Sequence, residues 1–279
     1  AASVAVAGVF GSKSSGSSSP KMASGSGSPG TPPATSGGAK SAGGIGISGA
    51  VTINILTGDV EAAVRDGVDV AAGNALALDA DTDALLIGAA VPLAVDTASS
   101  SGSTSIAGGF TLNQVTQTTR AYTQNANMTA DSVTLNADRD DDIIAVTVGV
   151  AGNKQGNAGI AGSVNVNEIT TTTEATLGQN TTVSSAGDVV ADAHNNLMAV
   201  TIAGGVAFSG KLGVGAAVDV GIYESTVKAQ IGPQAVIDAD GDIRLIAEND
   251  ELIVSIAIGI GISSDQLGIA GAASSQNFA

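Results

Sequence analysis

Along most of the chain, apolar positions alternate with small or polar ones. Val254, Ile256, Ile258, Ile260 and Ile262 are separated by Ser255, Ala257, Gly259 and Gly261. Near the start, Ile47, Val51, Ile53 and Ile55 oppose Ser48, Ala50, Thr52 and Asn54. A period of two carried by β-branched residues predicts strands, because successive strand side chains point to opposite faces. No 3.6-residue period and no sustained run of helix formers competes with it. An aliphatic face backed by Ala, Gly and Ser leaves two arrangements open. Either two sheets approach closely on the small side, or that side meets water.

The pattern repeats. Stretches opening at Asp142, Asn196 and Asp250 align, and Asp83 opens a looser copy, so the anchors are 59, 54 and 54 residues apart. An earlier unit begins near Ser3. Within a unit, one apolar strand (Val146–Ala151) is followed by a polar loop (153–157) and a second apolar strand (Ile160–Val166). A Thr-rich stretch, a short strand near 175–177 and a closing alternating strand such as Val189-Val-Ala complete it. Units that cannot bury their faces alone stack on their neighbours. The expected fold is therefore all-β, a β-solenoid resembling a parallel β-helix, with about four and a half repeats. The units run approximately 1–83, 84–142, 143–196, 197–250 and 251–279. Such a unit exceeds an ordinary coil, which predicts either two or more coils per unit, or one coil with the two apolar strands projecting as a hairpin.

The segment 11–42 breaks the pattern. It is rich in Ser and Gly and holds Pro20, Pro29, Pro32 and Pro33, with Lys13, Lys21 and Lys40 and no acid. It is expected to be a loop-tip insertion, solvated and mobile.

Composition then narrows the classes. Of 279 residues 38 are Gly, aromatics are 2%, and Cys and Trp are absent. Without cysteine there is no disulfide framework, thiolate metal site or Cys catalysis. A net charge of −16 with few aromatics disfavours nucleic acid, since phosphate neutralisation and base stacking both lack residues. The apolar stretches are about half of the roughly 20 residues that a spanning helix needs, and the aromatic girdles of a membrane barrel are missing, so no membrane span is expected. The chain begins at Ala1 without a signal sequence, which suggests processing or a piece of a longer protein.

Three constellations invite a chemical reading. Acidic clusters follow the closing strands: Asp79, Asp81 and Asp83, then Asp138, Asp140 and Asp142, with Asp238, Asp240 and Asp242 farther on. They are expected at turns and, once stacked, form an acidic stripe of the kind that suits Ca²⁺. Against a calcium site, the composition drifts between units and the glycine-rich nonapeptide of calcium β-rolls is missing. Turn-forming Asp is the simpler reading, and no cofactor is expected. Secondly, aligning Ala62, Ala121, Ala175 and Ala229 puts Glu61, Arg120, Glu174 and Lys228 at one position with alternating signs, predicting a ladder of opposite charges. Thirdly, His194 is the sole histidine. A hydrolase would pair it with Asp192 and a serine, but its equivalents vary as a turn position does. No enzyme is expected. The Thr runs 116–119 and 170–173 resemble threonine arrays of ice-binding solenoids, yet they occur in two units only, which predicts no flat array.

The closing patterns Thr182–Ala193 and Val236–Ala247, with the Gly/Ala/Val strand pairs before them, resemble the repeats of large bacterial exoproteins. These are filamentous-haemagglutinin-like and leukotoxin-type filamentous adhesins and autotransporter passengers. The resemblance implies a right-handed parallel β-helix, secretion to the cell surface or beyond, and an adhesive or fibrous role on a host or neighbouring cell. It supplies no catalytic residue. Neither end carries a polar cap, so the partner is expected to be the remainder of a longer array or a second copy. In the second case the strands of Ile256, Ile258 and Ile260 dock on those of Val4 and Val6 and give a head-to-tail filament.

Overall fold

The computed structural model describes residues 2–11, 44–96 and 102–279, and for 2–11 the backbone alone. The insertion expected over 11–42 lies outside the described residues beyond Gly11. Among the described residues every regular element is a strand. In chain order they are β1 (Ala2–Gly11), β2 (Ile45–Arg65), β3 (Asp69–Ala71) and β4 (Ala75–Asp96). Next come β5 (Thr104–Gln124), β6 (Asn127–Ala130) and β7 (Ser132–Asn153), then β8 (Ala158–Leu177), β9 (Thr182–Ser185) and β10 (Val189–Ser209). The last are β11 (Leu212–Ile231), β12 (Val236–Ala239), β13 (Ile243–Ser263) and β14 (Leu267–Phe278).

Three parallel sheets result. Sheet A has the order β1-β4-β7-β10-β13, sheet B β14-β11-β8-β5-β2, and the narrow sheet C β12-β9-β6-β3. Each strand pairs with the strand one unit away, as from Val189↔Ile243 to Ser209↔Ser263. This is a β-solenoid in which one unit makes one coil. The two apolar stretches are neither a second coil nor a hairpin bonded to itself. They extend the long strands of sheets A and B and hydrogen-bond to the coils on either side. That satisfies their backbone groups continuously, as an isolated hairpin would not. The segment near 175–177 belongs to β8, and the short strands are those of sheet C.

Each corner from sheet B to sheet C holds a left-handed residue: Asp66, Asn125, Asn180 and Gln234, with φ of 63°, 49°, 53° and 60°. Asp and Asn tolerate that region through local hydrogen bonding, which is why three of the four corners use them. Sheet A differs from the sequence alignment by two residues in β7, where Asp140, not Asp142, pairs with Asn196 and with Asp83. A slip of two keeps every side chain on its own face, so the hydrophobic pattern does not oppose it. Pairing of β4 with β7 skips Val91 and Pro92, Pro92 having no N–H to donate.

The interior changes chemistry along the strands. Where sheets A, B and C surround it, the core is ordinary: Leu78, Met128, Val133, Leu135, Leu177, Val183 and Val189 pack together. Beyond Ile143 and Ile169 the two long sheets close on each other as a flat wing. Its interior consists of Ala94, Ala107, Ala151, Ala161 and Ala207 with Thr111, Thr147, Ser163 and Asn165. The small side therefore faces inward, and the aliphatic side faces out on both sheets. Exposures of 65% at Ile47, 46% at Ile258 and 37% at Ile160 illustrate it. Close approach requires glycine: a Cβ on Gly149 would lie 2.6 Å from the Gly162 carbonyl, and one on Gly205 2.2 Å from that of Ala216.

Candidate functional site

The charged row comes first because its geometry is complete. Glu61 pairs with Arg120, Arg120 with Glu174 and Glu174 with Lys228 in the Cα register of sheet B. Arg120 Nη1 lies 3.9 Å from Glu61 Oε1, Arg120 Nε 3.2 Å from Glu174 Oε2, and Lys228 Nζ 3.3 Å from Glu174 Oε1. All four residues face outward, in the register that brings opposite signs together. Exposed pairs of this kind contribute some tenths of a kcal/mol each, so the row specifies register more than stability.

Two of the three acidic clusters are not in turns, whereas Asp240 and Asp242 do lie in the corner between β12 and β13. Asp79, Asp81 and Asp83 lie within β4, and Asp138, Asp140 and Asp142 within β7, all pointing out of sheet A. Strands here are about twice the length that the repeat suggested, so the acids fall mid-strand. Polar neighbours answer several of them across coils. Asn196 Nδ2 donates to Asp140 Oδ1 at 3.1 Å, and His194 Nδ1 lies 3.1 Å from Asp138 Oδ1, with Nε2 3.8 Å from Asp250 Oδ2. His194 thus engages two carboxylates of adjoining coils instead of Asp192, and the hydrogen bond that its ring N–H donates to Asp138 raises its pKa above the ordinary 6.5. Asp238 and Asp240 border a shallow open cleft on sheet C with Asp131, Ser184 and Ser185. Asp242 Oδ2 accepts from Arg244 Nη2 at 2.7 Å, and Arg244 also reaches Asp188 at 3.3 Å. Among the described residues no three His, Asp or Glu side chains converge as a metal site needs.

The threonines form two adjacent outward rows on sheet B: Thr57, Thr116 and Thr170, and Thr118, Thr172 and Thr226. Thr57 and Thr226 extend both rows beyond the two units that hold the runs.

Sequence reasoning missed the buried polar groups. Arg139 and Asp141 are 0% and 2% exposed in side chain and form an ion pair inside the coil. Burial pushes the Asp141 carboxyl up, and Arg139 opposes that shift. In the wing, Asn54 Nδ2 donates to Asn113 Oδ1 at 2.8 Å, and Asn113 Nδ2 to Asn167 Oδ1 at 2.7 Å. Asn167 Nδ2 ends the ladder without a partner, because the next coil places Gly221 there. Asp219 accepts from Thr201 at 2.6 Å, Asn165 at 2.8 Å and Gln276 at 3.1 Å. Each of these residues sits on the inward phase of the alternation, and that phase was the available signal.

The terminal strands complete the placement. Val4 and Val6 lie on β1 opposite Ala89 and Val91, and Ile256, Ile258 and Ile260 lie on the outer face of β13, paired on one side with β10. Compared with known proteins, the chain matches no family model, no curated protein and no solved structure.

Proposed function

We propose that this protein is a structural scaffold: a solenoid segment of a secreted bacterial adhesin or extracellular fibre. The observation that carries the reading is the unbroken rung-to-rung register of all three sheets, marked by the alternating charges of Glu61, Arg120, Glu174 and Lys228. Such a structure repeats one contact along an axis and gains stability from neighbours, not from a single globular centre. Among the described residues, strands β12, β13 and β14 each have one paired neighbour, which leaves a template for a further coil. That coil belongs either to the same polypeptide or to the next copy. Imaging and sizing of the 279-residue chain over a range of concentrations tests the reading. Elongated particles or fibres, single or side by side, support it. Turnover of a polysaccharide by the isolated chain would replace it with a carbohydrate-active enzyme, and stabilisation by Ca²⁺ that a chelator reverses would replace it with a calcium-dependent binding module.

A further inference from the structure

The wing is built inside out. Its interior holds small and hydrogen-bonded polar residues, while both outer faces are aliphatic. At about 4.8 Å per strand and 3.3 Å per residue, the outer face measures about 24 Å by 30 Å over the five strands of sheet B and about 19 Å by 30 Å over β4, β7, β10 and β13 of sheet A, or about 700 and 600 Å². An apolar surface of that extent on a water-soluble particle marks a contact.

The two faces have different relief. On sheet A, Leu93, Val150, Val206 and Ile260 stand in one register row and form a continuous aliphatic ridge along the axis. On sheet B the row Gly49, Gly108, Gly162, Ala216 and Gly271 forms a groove. A Cβ added at Gly108, Gly162 or Gly271 would meet nothing within 4 Å, so the space above them is open. Ile106 and Ile160 border it on one side, Phe110 and Val164 on the other. Ridge and groove lie at the same height on opposite sides of the wing. Gly149, the neighbour of Val150, is pressed against the backbone of Gly162, and Gly205, the neighbour of Val206, against that of Ala216. A copy displaced sideways by one wing thickness therefore brings its ridge over the groove of the first. The same displacement sets the acidic rows of sheet A beside the threonine rows of sheet B. Two sheet A faces aligned tip to tip would oppose acid to acid.

We propose that the partner of the wing is a second copy of this chain, stacked side by side with the sheet A ridge in the sheet B groove. Burial of both faces removes about 1,300 Å² from water, within the size of stable specific interfaces. The contact is heterologous, so each copy keeps a free ridge and a free groove, and growth is open-ended. It adds lateral association to the scaffold reading on which it rests, giving sheets or bundles instead of single fibres.

The test is complementation with the full chain. Val206→Lys blocks the ridge and Gly162→Val fills the groove, both at outward positions. Circular dichroism checks folding, and Val150→Lys and Gly108→Val substitute for any variant that does not fold. Sedimentation of the wild type should show mass rising with concentration beyond a dimer. Each variant alone should lose lateral association, and an equimolar mixture should give lateral pairs that grow no further sideways, since one partner retains the ridge and the other the groove. A variant that still associates side by side with itself, a mixture without lateral pairs, or a wild type that shows no lateral association overturns the proposal. So does wild-type protein that floats with phosphatidylcholine vesicles as a monomer, which makes a bilayer the partner. Electron microscopy separates the two readings: single filaments of Val206→Lys leave the scaffold intact, whereas compact monomers of every form remove both.

Discussion

Arg139 and Asp141, two residues apart on β7, form an ion pair inside the coil, and Arg139 Nη2 also donates to Gln117 Oε1 of the facing sheet at 2.6 Å. The two side chains share a strand face because their spacing equals its period. Arg139→Met leaves the Asp141 carboxylate buried alone and should cost about 3–5 kcal/mol in urea unfolding. The double variant Arg139→Met/Asp141→Leu should recover most of that loss. Acid should also narrow the deficit of the single variant. A carboxyl whose folded pKa exceeds its unfolded value binds its proton more tightly when folded, so stability falls as pH rises between the two.

Glu174 lies between Arg120 and Lys228 and serves both. Glu174→Lys sets three cations in a row and should destabilise by about 1 kcal/mol or less, as exposed pairs do. The deficit should shrink as salt is raised, because screening weakens the new repulsion. Thermal melts at low and high ionic strength check both the size and the salt dependence.

Gln234 occupies the corner that Asn125 and Asn180 fill in earlier coils, and Asn180 Nδ2 donates to Asn125 Oδ1 at 2.9 Å. Gln234→Asn relieves left-handed backbone cost and adds one step to that amide stack. The expected gain is up to about 1 kcal/mol, read as a higher melting temperature.

His194 should titrate above 6.5 when followed by NMR, and Asp138→Asn should lower its pKa. The sign follows from a raised folded value. The contribution of His194 to stability is fully present below its unfolded pKa and fades as pH rises through the folded one. An unchanged titration in Asp138→Asn would show that the hydrogen bond is not the cause.

Much of the architecture was legible because strand alternation and unit repetition report directly on backbone register. The charges at 61, 120, 174 and 228 align in sequence and in space because β2, β5, β8 and β11 pair with no internal shift. In sheet A a two-residue shift at β7 escaped notice, since period two makes Asp140 and Asp142 equivalent in facing. Strand length was also hidden. Acidic runs such as Asp138–Asp142 look like turns, yet outward and inward neighbours alternate through them, placing Asp140 in solvent and Asp141 inside. The direction of the wing faces was undecidable for a related reason. Alternation separates Ile47 from Ser48 but does not say which of them meets water.

The stacking direction also sets how the molecule meets tension. Inter-strand hydrogen bonds run roughly along the solenoid axis, slanted as parallel pairing makes them, between strands as long as the 21 residues of β10. A pull along that axis strains all the bonds of one coil boundary together, so failure requires a whole seam to part at once. A pull that lifts one strand end away from its neighbour parts the same bonds one after another. The same fold therefore resists a load spread over a whole coil and unravels under a load applied at a single strand end, so a tether holds best where it grips the full end coil.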